Sequence, residues 1–116
     1  MQNHIQNKLD FNIKESIKNK MSDFGFDFSL TGTKYIYELL YEYIVNKECL
    51  FEHLKPSMKS LADKYNIKLK TLNRDIRWSI EKNIVIYNKN ICLKEEDDIS
   101  STKKVIVWLY DFFKSF

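Results

Sequence analysis

The stretch "LADKYNIKLKTLNRDIRW", residues 61–78, constrains this chain more than any other part of it. Leu69, Leu72, Ile76 and Ile80 fall within about 80° of arc when residues are set about 100° apart, so they define one inward face of a helix. Leu61, Tyr65 and Ile67 continue that apolar seam around Asn66. Asparagine tolerates the left-handed backbone of a tight turn, and Ala62, four residues earlier, is small enough for a close helix crossing. Two helices, a sharp turn and a small residue at the crossing predict a helix-turn-helix. On the second helix Lys70, Arg74 and Arg77 share a neighbouring arc, with Thr71 and Trp78 beyond them. A recognition helix needs that division: apolar toward its own domain, cationic and polar toward phosphates and base edges. The same spacing also suits an amphipathic hairpin whose basic face is simply solvated.

Charge separates these readings. Residues 55–94 hold ten Lys/Arg and three Asp/Glu, a balance of +7, whereas the whole chain carries only +3. Residues 1–54 and 95–116 each sum to −2. The basic charge is therefore concentrated on the segment with the helix-turn-helix pattern, and binding of a polyanion is a natural reason for it.

The rest of the chain points to one mainly helical domain. Two Gly and one Pro in 116 residues are too few for the turns of a sheet-rich fold. Eight Phe, seven Tyr and two Trp supply a core. Residues 1–10 read as a polar, flexible N-terminus and 11–116 as a single domain. Phe11, Ile13, Ile17 and Met21 predict a first helix over 11–23, ending near Gly25. Thr33 is placed to cap a central helix to about Lys47, with Tyr35, Ile36, Leu39, Leu40, Tyr43 and Ile44 inward and Tyr37 and Tyr41 widening the apolar face. A short helix over 50–54 should stop before Pro56, and Ser57 should cap the next, over 58–65. After the helix from Leu69 to about Lys82, the period changes. Ile84–Tyr87 and Ile91–Leu93 are β-prone runs around Asn88-Lys89-Asn90, which predicts a hairpin. A hairpin directly after a recognition helix is the winged-helix order, and the fold expected is α+β, mainly α: about five helices and one small hairpin. The hairpin could equally be a small sheet that shields the core.

The candidate DNA contacts are therefore Lys68, Lys70, Thr71, Asn73, Arg74, Arg77 and Trp78 on the second helix, with Asn88, Lys89 and Asn90 at the tip of the wing. A last helix, from the Ser100–Thr102 region through Phe113, carries apolar residues on almost every side. Burial within a monomer would use one side of it. Trp108, Leu109, Phe112 and Phe113 are candidate dimerisation residues, because an uncovered apolar side calls for a partner.

The residues from about Ile17 to Glu81 resemble the C-terminal DNA-binding domain of the master sporulation response regulator of endospore-forming bacteria. That family has a Gly followed by Tyr-Leu-Arg-Glu-Ala-Ile at its central helix, and "GTKYIYELL" keeps Gly32, Tyr35 and Glu38. The family continues with Ile-Ala-Lys-Lys-Tyr-Asn, and "LADKYN" keeps Ala62, Lys64, Tyr65 and Asn66. Its recognition helix reads Arg-Val-Glu-Arg-Ala-Ile-Arg-His-Ala-Ile-Glu, and "TLNRDIRWSIE" keeps Arg74, Ile76, Arg77, Ile80 and Glu81. The resemblance covers somewhat over half of the chain. It implies a helical domain that binds duplex DNA, often as a pair on repeated sites, with contacts carried over only to Arg74 and Arg77. Thr71, Asn73 and Trp78 stand where the family has Arg, Glu and His, so a different DNA sequence is expected. The chain holds no receiver domain, so aspartyl-phosphate control is not expected of it. The hairpin at 84–93 is also outside the family pattern. It looks like the wing of small winged-helix proteins, which also serve plasmid transfer, partition and replication origins.

Other chemistry has little to stand on. No run of about 18 apolar residues predicts a membrane span, and "MQNHIQNKLDF" has no signal-peptide core, which makes the cytoplasm the expected location. Cys49 and Cys92 have no CxxC partner and read as thiols in a reducing compartment. His4 and His53 have no zinc-ligand spacing with them. The acidic run at 95–98 reads as solvated charge favouring the N-terminus of the last helix. No nucleophile motif and no Gly-rich phosphate loop are present, so neither an enzyme nor a cofactor is expected. A protein-interaction module using the aromatic helices is the reading from another class.

Overall fold

A computed structural model describes residues 2–46, 50–83 and 99–113; the side chains of 2–8, 46, 50–53, 99–102, 104, 112 and 113 lie outside the described set. Five helices are present among the described residues: α1 (Gln2–Asp23), α2 (Thr31–Asn46), α3 (Leu50–Lys64), α4 (Leu69–Glu81) and α5 (Ile99–Phe113). The protein is mainly helical, and no strand occurs among the described residues. The hairpin expected at 84–93, the acidic run, and Cys49 and Cys92 lie outside them.

Helix α2 is the hub, packing against each of the other four helices and most extensively against α4. The reason is legible in its composition. Tyr35, Ile36, Leu39, Leu40 and Tyr43 are all buried, and half-buried Tyr37, Tyr41 and Ile44 flank them. The core closes around this stripe with Ile17 and Met21 from α1, Leu54, Met58 and Leu61 from α3, Leu72, Ile76 and Ile80 from α4, and Val105, Ile106 and Leu109 from α5. Each such side chain contributes roughly 1.5–3 kcal/mol on full burial.

Two helix ends are built alike. After α1, the Gly25 N–H donates to the Ser22 carbonyl and the Phe26 N–H to that of Met21, with Gly25 at φ 100°. After α3, the Asn66 N–H donates to Asp63 and the Ile67 N–H to Ala62, with Asn66 at φ 55°. Both are Schellman ends, in which a left-handed residue lets two stray N–H groups satisfy carbonyls of the last turn. The turns expected at Gly25 and Asn66 are therefore where the sequence places them.

Several expected boundaries differ. α1 begins at Gln2, so most of the segment 1–10 expected to precede the helix lies within it. Phe11 is 62% exposed: it sits about 200° around the helix from Ile13, opposite the face that Ile13, Ile17 and Met21 share. α2 starts at Thr31; Thr33 is not its cap but a buried residue of the first turn. The loop before it is shaped instead by Asp27, whose carboxylate accepts from the Ser29 N–H at 2.9 Å and its hydroxyl at 2.7 Å. α3 runs unbroken through Pro56. Proline forgoes one backbone bond, but the buried row Leu54, Met58 and Leu61 needs the helix continuous across it. Ser57 is accordingly not a cap. Its hydroxyl meets the Tyr43 hydroxyl at 3.1 Å and the Glu42 carboxylate at 3.3 Å.

Candidate nucleic-acid interface

The unit of interest is α3, the Asn66 turn and α4. Besides the shared core and the Ser57 bonds to Tyr43 and Glu42, further contacts hold it on α2. Gly32 packs its α-carbon against the α4 backbone: a β-carbon there would overlap the Asp75 carbonyl and approach the Ile76 α-carbon to 3.0 Å. One turn further along α4, the Thr33 and Ser79 hydroxyls meet at 2.5 Å, both fully shielded from water. At the α3 end, Glu38 accepts from the Tyr65 hydroxyl at 2.6 Å and from Lys64 Nζ at 2.7 Å. The Tyr65 and Tyr35 rings pack 5.2 Å apart. The hydrogen bond to Glu38, followed by burial, pushes the Tyr65 hydroxyl up to about 12. Tyr35, Glu38, Lys64 and Tyr65 thus form one contact set at the turn, while Gly32 seats α4 separately.

These contacts decide which way α4 faces. Leu72, Asn73, Ile76, Ser79 and Ile80 are buried. They span about 120° of arc, wider than the apolar residues alone suggest. Asn73 is therefore corrected: at 3% exposure it belongs to the buried edge and not to a surface that could meet DNA. Arg77 lies next to that edge and is half-buried, as is Thr71. Lys68, Lys70, Arg74 and Trp78 are exposed. Neither Lys68 nor Arg74 has an acidic partner within ion-pair distance among the described residues. Lys68 begins the helix with extended backbone and no side-chain cap.

Lys70, Arg74, Trp78 and Lys82 stand four residues apart in succession, so they form a single ridge on the outer side. Lys82, which closes the helix, was not among the expected contacts. Its ammonium lies 4.4 Å from the Trp78 ring centroid. An exposed pair of this kind contributes only about 0.5–1 kcal/mol. The i, i+4 spacing of Trp78 and Lys82 was the available signal. The first turn of α2, which carries exposed Lys34, packs against α4 through Gly32 and Thr33. Glu81 is the exposed acid beside the ridge, and it follows Arg77 by one turn.

The remaining expected site residues fall elsewhere. Asn88, Lys89 and Asn90 lie outside the described residues. Leu109 is fully buried in the core, which corrects its assignment to a dimer surface. Trp108 is half-buried, with its ring edge-on to Phe24 at 5.2 Å. Phe112 and Phe113 belong to α5, with side chains outside the described set. Away from α4, an open groove of about 390 Å³ is lined in part by Lys14, Tyr37, Glu38, Tyr41 and Glu42. Its groups engage one another: Lys14 lies over the Tyr41 ring at 5.1 Å, and Glu38 is taken by Lys64 and Tyr65. No helix among the described residues is long and apolar enough to cross a membrane. No protein family, curated protein or solved structure matches the chain.

Proposed function

We propose that the protein binds double-stranded DNA through α4, as a sequence-specific transcriptional regulator of the winged helix-turn-helix type. The observation that carries the proposal is the two-sidedness of α4: Lys70 and Arg74 exposed, against buried Leu72, Ile76 and Ile80 on the opposite side, with exposed Lys68 at its N-terminal end. The +7 balance of residues 55–94 and the resemblance to the sporulation regulator's effector domain support the same reading. In this proposal Arg74 and Arg77 read base edges, Lys68 and Lys70 hold phosphates, and the segment 84–93 is the wing, with Asn88, Lys89 and Asn90 at its tip. Two copies would pair on repeated half-sites. A domain of this kind also serves plasmid transfer, partition or replication sites, and neighbouring genes of those processes would favour that use over transcription.

The test is retention on duplex DNA as a function of salt. Every phosphate neutralised lowers log K by about 0.9 per decade of salt, so affinity should fall steeply across the physiological range. Arg74→Ala should lose about 1–3 kcal/mol of discrimination between cognate and mutated sites. No retention at low salt, or retention indifferent to salt, would leave the protein-interaction reading in its place.

A further inference from the structure

Trp78 has no evident task within the fold. It is 53% exposed, and the inner side of α4 is already filled by Leu72, Ile76 and Ile80. A single exposed apolar residue needs no explanation on its own. Trp78, however, stands inside a row of cations, with Arg74 one turn before it and Lys82 one turn after it on the same ridge. Helix rise places successive members of the ridge about 6 Å apart along the axis. The indole therefore has positive charge on both sides within reach of one short run of nucleotides.

That combination, an exposed ring between cations, is the chemistry of a stacking platform: a base covers the π-face while flanking ammonium and guanidinium groups hold the backbone. A base inside an intact duplex has both faces occupied by its neighbours, so only an unpaired or unstacked base can use such a ring. We infer that the α4 ridge also takes single-stranded DNA, with Trp78 stacking on an unpaired base and Lys70, Arg74 and Lys82 on its phosphates. The inference rests on the reading of α4 as a DNA-binding helix and names a second form of DNA for it. Lys82 supplies the means of exchange. Its ammonium occupies the indole in the free protein at 4.4 Å, and it leaves the ring for a phosphate when a base arrives.

The experiment follows Trp78 emission in the 116-residue chain. The protein has two Trp, so Trp108→Phe leaves Trp78 as the only reporter. Trp78→Ala in the otherwise native chain gives the same signal by subtraction, should the Phe24–Trp108 contact not tolerate replacement. An oligothymidine single strand and a blunt hairpin duplex are titrated at low salt. Stacking should quench Trp78 with the single strand and much less with the duplex. Trp78→Ala should weaken single-strand binding by about 5- to 150-fold and duplex binding by a clearly smaller factor. Duplex binding without single-strand quenching overturns the inference and leaves the duplex reading standing. So does equal quenching by both forms, which would make Trp78 a groove contact, and so does single-strand affinity unchanged in Trp78→Ala. If neither form binds, the inference and the reading beneath it fall together.

Discussion

Gly32 shows how little room the α2–α4 contact leaves. Glycine inside a helix ordinarily loses about 1 kcal/mol to alanine, so Gly32→Ala would be stabilising at an open site. Here the new methyl meets the Asp75 carbonyl, and backbone cannot move aside as a flexible side chain can. We expect Gly32→Ala to destabilise toward the upper end of the about 1–3 kcal/mol typical of overpacking, read from urea midpoints. A midpoint equal to or above wild type would mean that α4 is not seated on Gly32. Tyr65 offers a test by pH. Its hydroxyl is raised to about 12, first by donation to Glu38 and then by burial. A raised folded value means that the contribution is whole below the unfolded value near pH 10 and is lost as pH rises through about 12. Tyr35 is raised by burial in the same direction, so it adds to the same loss. Urea midpoints should therefore fall more steeply above pH 10 in wild type than in Tyr65→Phe, and parallel curves would count against the Glu38 bond.

At the scale of elements, the pairing of α2 with α4 turns on a hydroxyl pair 46 residues apart in sequence, Thr33 and Ser79. Removing one buried partner strands the other at a cost of about 1–3 kcal/mol. Removing both should cost less than the sum, because no unpaired group remains. We expect Thr33→Val and Ser79→Ala each to destabilise, and the double variant to show a coupling of about 0.5–3 kcal/mol. Strict additivity would mean that the two hydroxyls do not depend on each other. Ser79 and Asn73 bound the buried arc of α4 on its two sides, so Asn73 is interior although a count of apolar residues leaves it outside.

For the whole molecule, α5 is part of the same core as α1 to α4. Leu109 is fully buried, so Leu109→Ala should cost about 2–5 kcal/mol of stability at every protein concentration. A loss that appears only on dilution, with matching dissociation in sedimentation, would instead place Leu109 between two copies. A good part of this architecture was legible in the chain. Helical periodicity is local, so the α4 apolar row, the aromatic stripe of α2 and the left-handed turns at Gly25 and Asn66 could be read from spacing and residue type. The cationic side of α4 was legible for the same reason, since whatever faces inward fixes what faces out. What tertiary structure decided is everything that depends on a distant partner. Pro56 lies within α3 because Leu54, Met58 and Leu61 on both sides of it are drawn into one core. Asn73 and Leu109 are interior, and Gly32 is a contact point, because α2 occupies the space beside α4 and α5 closes over both. No pattern along one helix records which neighbour will cover it, and burial is set by that neighbour.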